Sequence, residues 1–151
     1  MSSAAAVRDK VQRILVEEMD VEARLIPDGF QVPYASTAVN IRVIEQGDGE
    51  PSARVLVSLS APTLRHVKAS PELFEWIATE GGTYFFGHAI WTQYSDEPGL
   101  GIVTFEHTLL GDFLDTAELA GALVALANTS DDLDDELQKR FGGKRFVDPE
   151  E

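Results

Sequence analysis

Three imidazoles, His66, His88 and His107, are the side chains of this sequence best suited by type to hold a metal or to move a proton near neutral pH. Their spacing does not serve either purpose. None belongs to the His-x-x-x-His pattern, with an assisting glutamate, by which one face of a helix binds zinc. His88 and His107 fall in two stretches that read as paired strands and so are placed to face each other. Glu106, however, alternates to the face opposite His107, so no carboxylate completes the group. There is no cysteine, which removes disulfides, thiolate zinc sites and a cysteine nucleophile in one step. The run Asp131-Asp132-Leu133-Asp134-Asp135-Glu136 offers many oxygens, but a calcium loop needs them in alternation, with a glycine at the sixth position and a distant bidentate glutamate. Leu133 interrupts the run and fits a helical core stripe, so the acids read as a solvated helix face. Gly47-Asp48-Gly49 and Gly81-Gly82 lack the lysine and hydroxyl of a phosphate loop, and no Gly-x-Ser-x-Gly elbow occurs. The expectation is a chain that is not an enzyme and needs no metal or cofactor.

The remaining capacity for recognition is aromatic. Trp76, Trp91, Tyr84, Phe85, Phe86 and Tyr94 lie close together in sequence, and most such rings pack in cores. In the stretch Thr83 to Tyr94, read as one strand, Tyr84, Phe86 and Ile90 fall on one face. Phe85, Gly87, Ala89 and Trp91 fall on the other. A sheet covered by helices on one side leaves one of these sets exposed. The expected partner surface is therefore Phe85, Gly87, Ala89 and Trp91, two rings around a shallow recess, extended by Ile102 and Thr104 on the next strand. The competing reading makes the same strand one wall of a pocket in a small-ligand-binding sensory domain.

These side chains need elements to carry them. Val7, Val11, Ile14, Leu15 and Met19 form one helical stripe, which predicts a helix from about residue 4 to 19. Val21 to Ile26 followed by Pro27-Asp28-Gly29 predicts a hairpin. Ala38 to Gln46 and Arg54 to Ser60 alternate with the period of half-buried strands, separated by the turn-forming Gly47 to Ser52. Pro62 to Ser70 reads as a loop. Ser70 caps a short helix with Pro71 at its first position and Leu73, Phe74 and Ile77 turned inward, and Gly81-Gly82 ends it. Two strands follow, Thr83 to Tyr94 and Leu100 to Leu110. Asp115 and Glu118 then open a helix with Leu119, Leu123, Leu126, Leu133, Leu137 and Phe141 on its stripe, expected to bend at Asn128-Thr129-Ser130 and to stop at Gly142-Gly143. The order α-β-β-β-α-β-β-α, with the first strand open to splitting, predicts a two-layer α+β domain with an antiparallel sheet.

The 151 residues suit one domain, 1–151, large enough to bury a core without staples. A formal net charge of -14 argues against nucleic-acid binding, which needs cations to displace phosphate counterions. Charges interrupt the apolar positions of the first 19 residues, and no run is long enough to span a membrane. The expected location is the cytoplasm.

The ending Leu119 to Leu137, with its aspartate-rich segment, followed by Phe141-Gly142-Gly143-Lys144-Arg145-Phe146, resembles the actinobacterial YbjN-like, type III secretion chaperone-like family. The resemblance extends in element order over nearly the whole chain. It implies the secretion-chaperone fold, a homodimer, and a non-catalytic module that binds or stabilises a partner or client protein. It supplies no catalytic residue.

Overall fold

The computed structural model describes residues 3–47 and 54–150, so most of the expected turn before the fourth strand, Asp48 to Ser52, lies outside the described residues. Ser3 accepts the Ala6 N–H at 3.1 Å and opens α1 (Ala4–Arg13), which continues into a π-helical turn, Ile14–Glu18. Ile14 and Leu15 of this turn are both buried in the core. The predicted hairpin forms as β1 (Arg24–Ile26) and β2 (Gly29–Tyr34), with Asp28 at φ 62°. Next come β3 (Thr37–Gln46), β4 (Arg54–Lys68), α2 (Pro71–Thr79), β5 (His88–Gln93), β6 (Leu100–Leu110) and α3 (Thr116–Phe141). The strands form one antiparallel sheet in the order β1-β2-β3-β4-β6-β5.

Register assigns the two faces. Ile41 and Val43 of β3 lie level with Leu59 and Val57 of β4, and Ala61 and Leu64 of β4 lie level with Phe105 and Val103 of β6. All are buried, in one cluster with Val7 and Val11 of α1, Leu73 and Trp76 of α2, and Leu119, Leu123, Leu126 and Leu137 of α3. All three helices therefore cover the same face, and among the described residues no helix covers the other.

Several expectations need correction. The stretch from Pro62 is not a loop: β4 continues to Lys68 through two register shifts against β6. Val55 gives its carbonyl to Gly111 on the β6 side, so alternate residues up to Pro62 turn their N–H groups towards β3, whose pairing ends at Ser60. The proline thus interrupts no ladder. The last part of β4 finds a different partner, because Arg65 and Lys144 exchange backbone hydrogen bonds of 2.8 Å in both directions.

β5 begins at His88 rather than Thr83. Gly87, at φ +87°, diverts the chain out of the sheet, and a Cβ there would lie 2.6 Å from Leu126 of α3. The helix α3 is not interrupted at Asn128-Thr129-Ser130 but runs unbroken for 26 residues. Two of those poor helix formers, Asn128 and Ser130, make tertiary hydrogen bonds. Tyr34 Oη donates to Asn128 Oδ1, and Ser130 Oγ lies 2.8 Å from the hydroxyls of both Thr37 and Thr63. Nor is the acidic run wholly solvated: Asp134 is only 1 % exposed and, with Asp131, meets Ser36. Phe74 is exposed rather than turned inward, with its ring edge-on to Trp91 at 5.4 Å.

Candidate functional site

The uncovered face is built by the alternation that fills the core. Taking the register across the sheet, Arg24, Gln31, Asn40, Ser60, Glu106 and His88 stand side by side, one from each strand. Gln31 Nε2 donates to Asn40 Oδ1 at 2.9 Å within this row. His88 is thus beside Glu106, while His107 faces the helices, so the two imidazoles do not face each other. No cluster of three metal-binding side chains occurs among the described residues.

Apolar groups flank the polar row. Ile44, Leu56 and Leu110 lie level at one end, with Ile44 and Leu110 exposed. Pro62, Thr104 and Ile90 lie level on the other side, followed by Ile102 opposite Thr92. The Oγ1 of Thr104 is buried without a hydrogen-bond partner. Three two-residue steps separate these patches, roughly 20 Å at strand rise.

The six residues expected to share one surface are divided. Ile102 and Thr104 are on the uncovered face, with Ile90, a member of the set expected on the opposite side from Trp91. Ala89 lies level with Phe105 on the helical face and is buried. Trp91 is on that face too, half-buried, its indole N–H donating to the Val67 carbonyl at 3.1 Å. Gly87 packs against α3. Phe85 is fully exposed, but from the irregular segment before β5 rather than from a strand. Alternation does not apply outside the sheet, which is why the strand reading grouped the wrong neighbours.

That irregular segment has its own order. Thr83 turns back on Glu80, its N–H and hydroxyl donating to the Glu80 carbonyl at 3.2 and 2.8 Å. Tyr84 packs edge-on against Phe105 at 5.4 Å, and Phe86 against His107 at 5.4 Å. His107 Nδ1 accepts the Gly87 N–H at 3.1 Å and so closes the segment where the ladder ends. Between residues 83–86 and Ala125 and Thr129 of α3 lies a groove of about 380 Å³. A larger hollow of about 600 Å³ is lined only by residues of α1 and its π-helical continuation, so it has no opposing wall. Burial raises the Tyr84 hydroxyl above its ordinary pKa of 10.0, helped by the carboxylates of Glu80 and Glu136.

A six-stranded open sheet with helices on one face defines an α+β scaffold with a free sheet surface. The chain belongs to the family described as T3SS (YopN, CesT) and YbjN peptide-binding chaperone 1, whose model matches residues 5–149. The crystal structure of YbjN from E. coli is similar in fold, with a TM-score of 0.58 and 10 % sequence identity over 88 % of this chain and 93 % of that one. No curated protein matches the sequence. No helix among the described residues is long and apolar enough to cross a membrane.

Proposed function

We propose that this protein is a non-catalytic holding module, which binds an extended segment of a client polypeptide across the uncovered face of its sheet. One observation carries the reading: all three helices lie on one face, so the other presents two apolar patches on either side of a polar row. An extended segment advances about 3.3 Å per residue, so apolar client side chains about six residues apart match the patch spacing. The polar row between them offers hydrogen bonds to the client backbone, the usual division of labour in peptide recognition. Family membership supports peptide binding of this kind; the client's identity does not follow from it.

The test is capture of an unfolded reporter, reduced carboxymethylated α-lactalbumin, followed by fluorescence anisotropy. Leu110→Lys and Ile90→Lys should each weaken binding at least about tenfold, because a lysine placed in an apolar contact must be desolvated. Unchanged affinity in both variants, with unchanged melting temperature, would refute the face as the client site. Concentration-dependent dimerisation abolished by either variant would reassign it to a second copy of the chain. The small-ligand alternative is less well supported, since Trp91 is packed and hydrogen-bonded rather than lining a free pocket.

A further inference from the structure

Phe85 is the most exposed large apolar side chain described, and it sits beside Phe86, 41 % exposed, on a segment that hydrogen bonds hold at both ends. Two exposed rings on an ordered segment present apolar area without the ordering cost that a mobile loop would incur on binding. Across the groove, α3 offers a shallow wall. Ala125 and Thr129 line it, and helical spacing puts Gly121 and Asp132 one turn away on either side, with Glu118 and Glu136 beyond. Gly121, Glu118, Asp132 and Glu136 are all exposed. This stripe thus has a small, uncharged centre and carboxylates at both ends, with no cation along it. The lip adds a further carboxylate in Glu80, from the turn after α2. Tyr84, which lines the groove and packs against Phe105, feels both Glu80 and Glu136, so two acidic groups act on one side chain of the groove wall. The nearest cations on α3 are in its last turn, where the Arg140 guanidinium lies over the Phe141 ring at 4.9 Å.

We infer that the groove between Phe85-Phe86 and α3 is a second binding site, separate from the uncovered sheet face, for a polypeptide segment with a large apolar side chain flanked by lysines or arginines. The apolar side chain enters against Phe85, Phe86 and Ala125, where only small residues of α3 oppose it. The flanking cations reach Glu80, Glu136, Asp132 and Glu118 at the rim, and a guanidinium or ammonium is also attracted to the exposed face of either ring. A segment flanked by acids would meet like charge on both walls. The wider balance acts in the same direction, since a net charge of -14 draws cationic segments towards the protein before contact.

The probes are two fluorescein-labelled peptides, GKKLFLKKG and GEELFLEEG, titrated with the full chain in an anisotropy assay at low ionic strength. The lysine peptide should bind at least about tenfold more tightly, and the preference should largely vanish near 0.5 M salt, as rim charges are screened. Phe85→Ser and Glu136→Lys should each weaken that peptide at least about fivefold while leaving the melting temperature unchanged, because both side chains are exposed. Ile102→Lys, on the sheet face, should leave its affinity intact. Equal binding of the two peptides, or unchanged affinity in Phe85→Ser, overturns the site. So does a loss with Ile102→Lys as large as with Phe85→Ser, which would move the peptide to the sheet, and so does a dimer that Phe85→Ser dissolves. If the reporter still binds the sheet while the lysine peptide fails, this site alone is lost.

Discussion

The Ser36 hydroxyl lies 2.5 Å from Asp131 Oδ1 and within hydrogen-bonding reach of Asp134 Oδ2, carboxylates three residues apart on α3. A hydroxyl carries one proton and cannot donate to both. Asp131 also receives the Ser36 backbone N–H at 3.0 Å, and these two bonds from Ser36 hold its pKa below the ordinary value of 3.8. Asp134 is pushed the other way, chiefly by burial, and its Oδ1 has no hydrogen-bond partner. The second contact is satisfied when Asp134 keeps its own proton and donates to Ser36. Around it, Asp135 and Asp131 favour the neutral form and Arg145 the ionised one.

A group whose folded pKa is raised contributes stability that is complete below its unfolded value and is lost as pH climbs through the folded one. Wild-type stability should therefore carry a component that declines as pH rises from 3.8 through the raised Asp134 value. Asp134→Asn should remove that component. The check is the difference in melting temperature between the two proteins at a series of pH values upward from 3.8. A constant difference would show that Asp134 does not titrate there.

Asp148 should show the opposite sign. Arg145 donates from its side chain and backbone to this carboxylate, and Gln138 adds a bond of 2.9 Å, which together hold its pKa well below the usual range. Its contribution is present above the unfolded value of 3.8 and lost as pH falls towards the folded one. In Asp148→Asn the stability difference from wild type should shrink on acidification below pH 4, as measured by urea unfolding at a series of pH values.

Gly143 has φ +85°, and a Cβ added there would lie 2.6 Å from the Arg65 carbonyl. Gly142 has φ +77° but open space around it. Gly142→Ala should cost about 1 kcal/mol from backbone strain, and Gly143→Ala more, about 1–3 kcal/mol, because strain and collision combine. Chemical denaturation of both variants gives the ranking; equal costs would mean that the tail simply moves away from β4.

Phe85 and Trp91 were grouped by alternation, and they should now separate in experiment. Phe85→Ser should leave the melting temperature within error, since no packing is lost. Trp91→Ser removes a half-buried indole, its bond to Val67 and its contact with Phe74. It should cost about 2–4 kcal/mol by denaturant unfolding. Comparable losses would place Phe85 in the core.

The elements readable in the sequence were those whose local pattern and tertiary role agree. Ser70 with Pro71, and Asp115 with Glu118, begin α2 and α3 as their capping chemistry requires. Val39, Ile41 and Val43 alternate because β3 is half-buried. Legibility failed where distant partners decide. Pro62 and the positive φ of His66 argue locally for a loop, yet the segment stays in the sheet through pairing with β6 and Lys144. Asn128, Ser130 and Asp134 look like helix weakness or solvated charge because their partners, Tyr34, Thr37 and Ser36, lie nearly 100 residues earlier. The candidate surface suffered most, since one glycine at residue 87 ended the alternation on which its grouping depended. Phe85 itself was legible as an outward ring, whereas Ile90 required the register to be known.

The helical cover of the sheet also sets an order of events during synthesis. α3 supplies Leu119, Leu123, Leu126 and Leu137 over β3, β4 and β6, yet it follows every strand in the chain. A nascent chain that has released β6 but not α3 carries a sheet bare on one face and only partly covered on the other. Such an intermediate is prone to sticking through both surfaces at once. The interval before residue 137 clears the ribosome thus leaves the sheet open on both sides, and a module proposed to hold extended client segments passes through a stage in which it needs shielding itself.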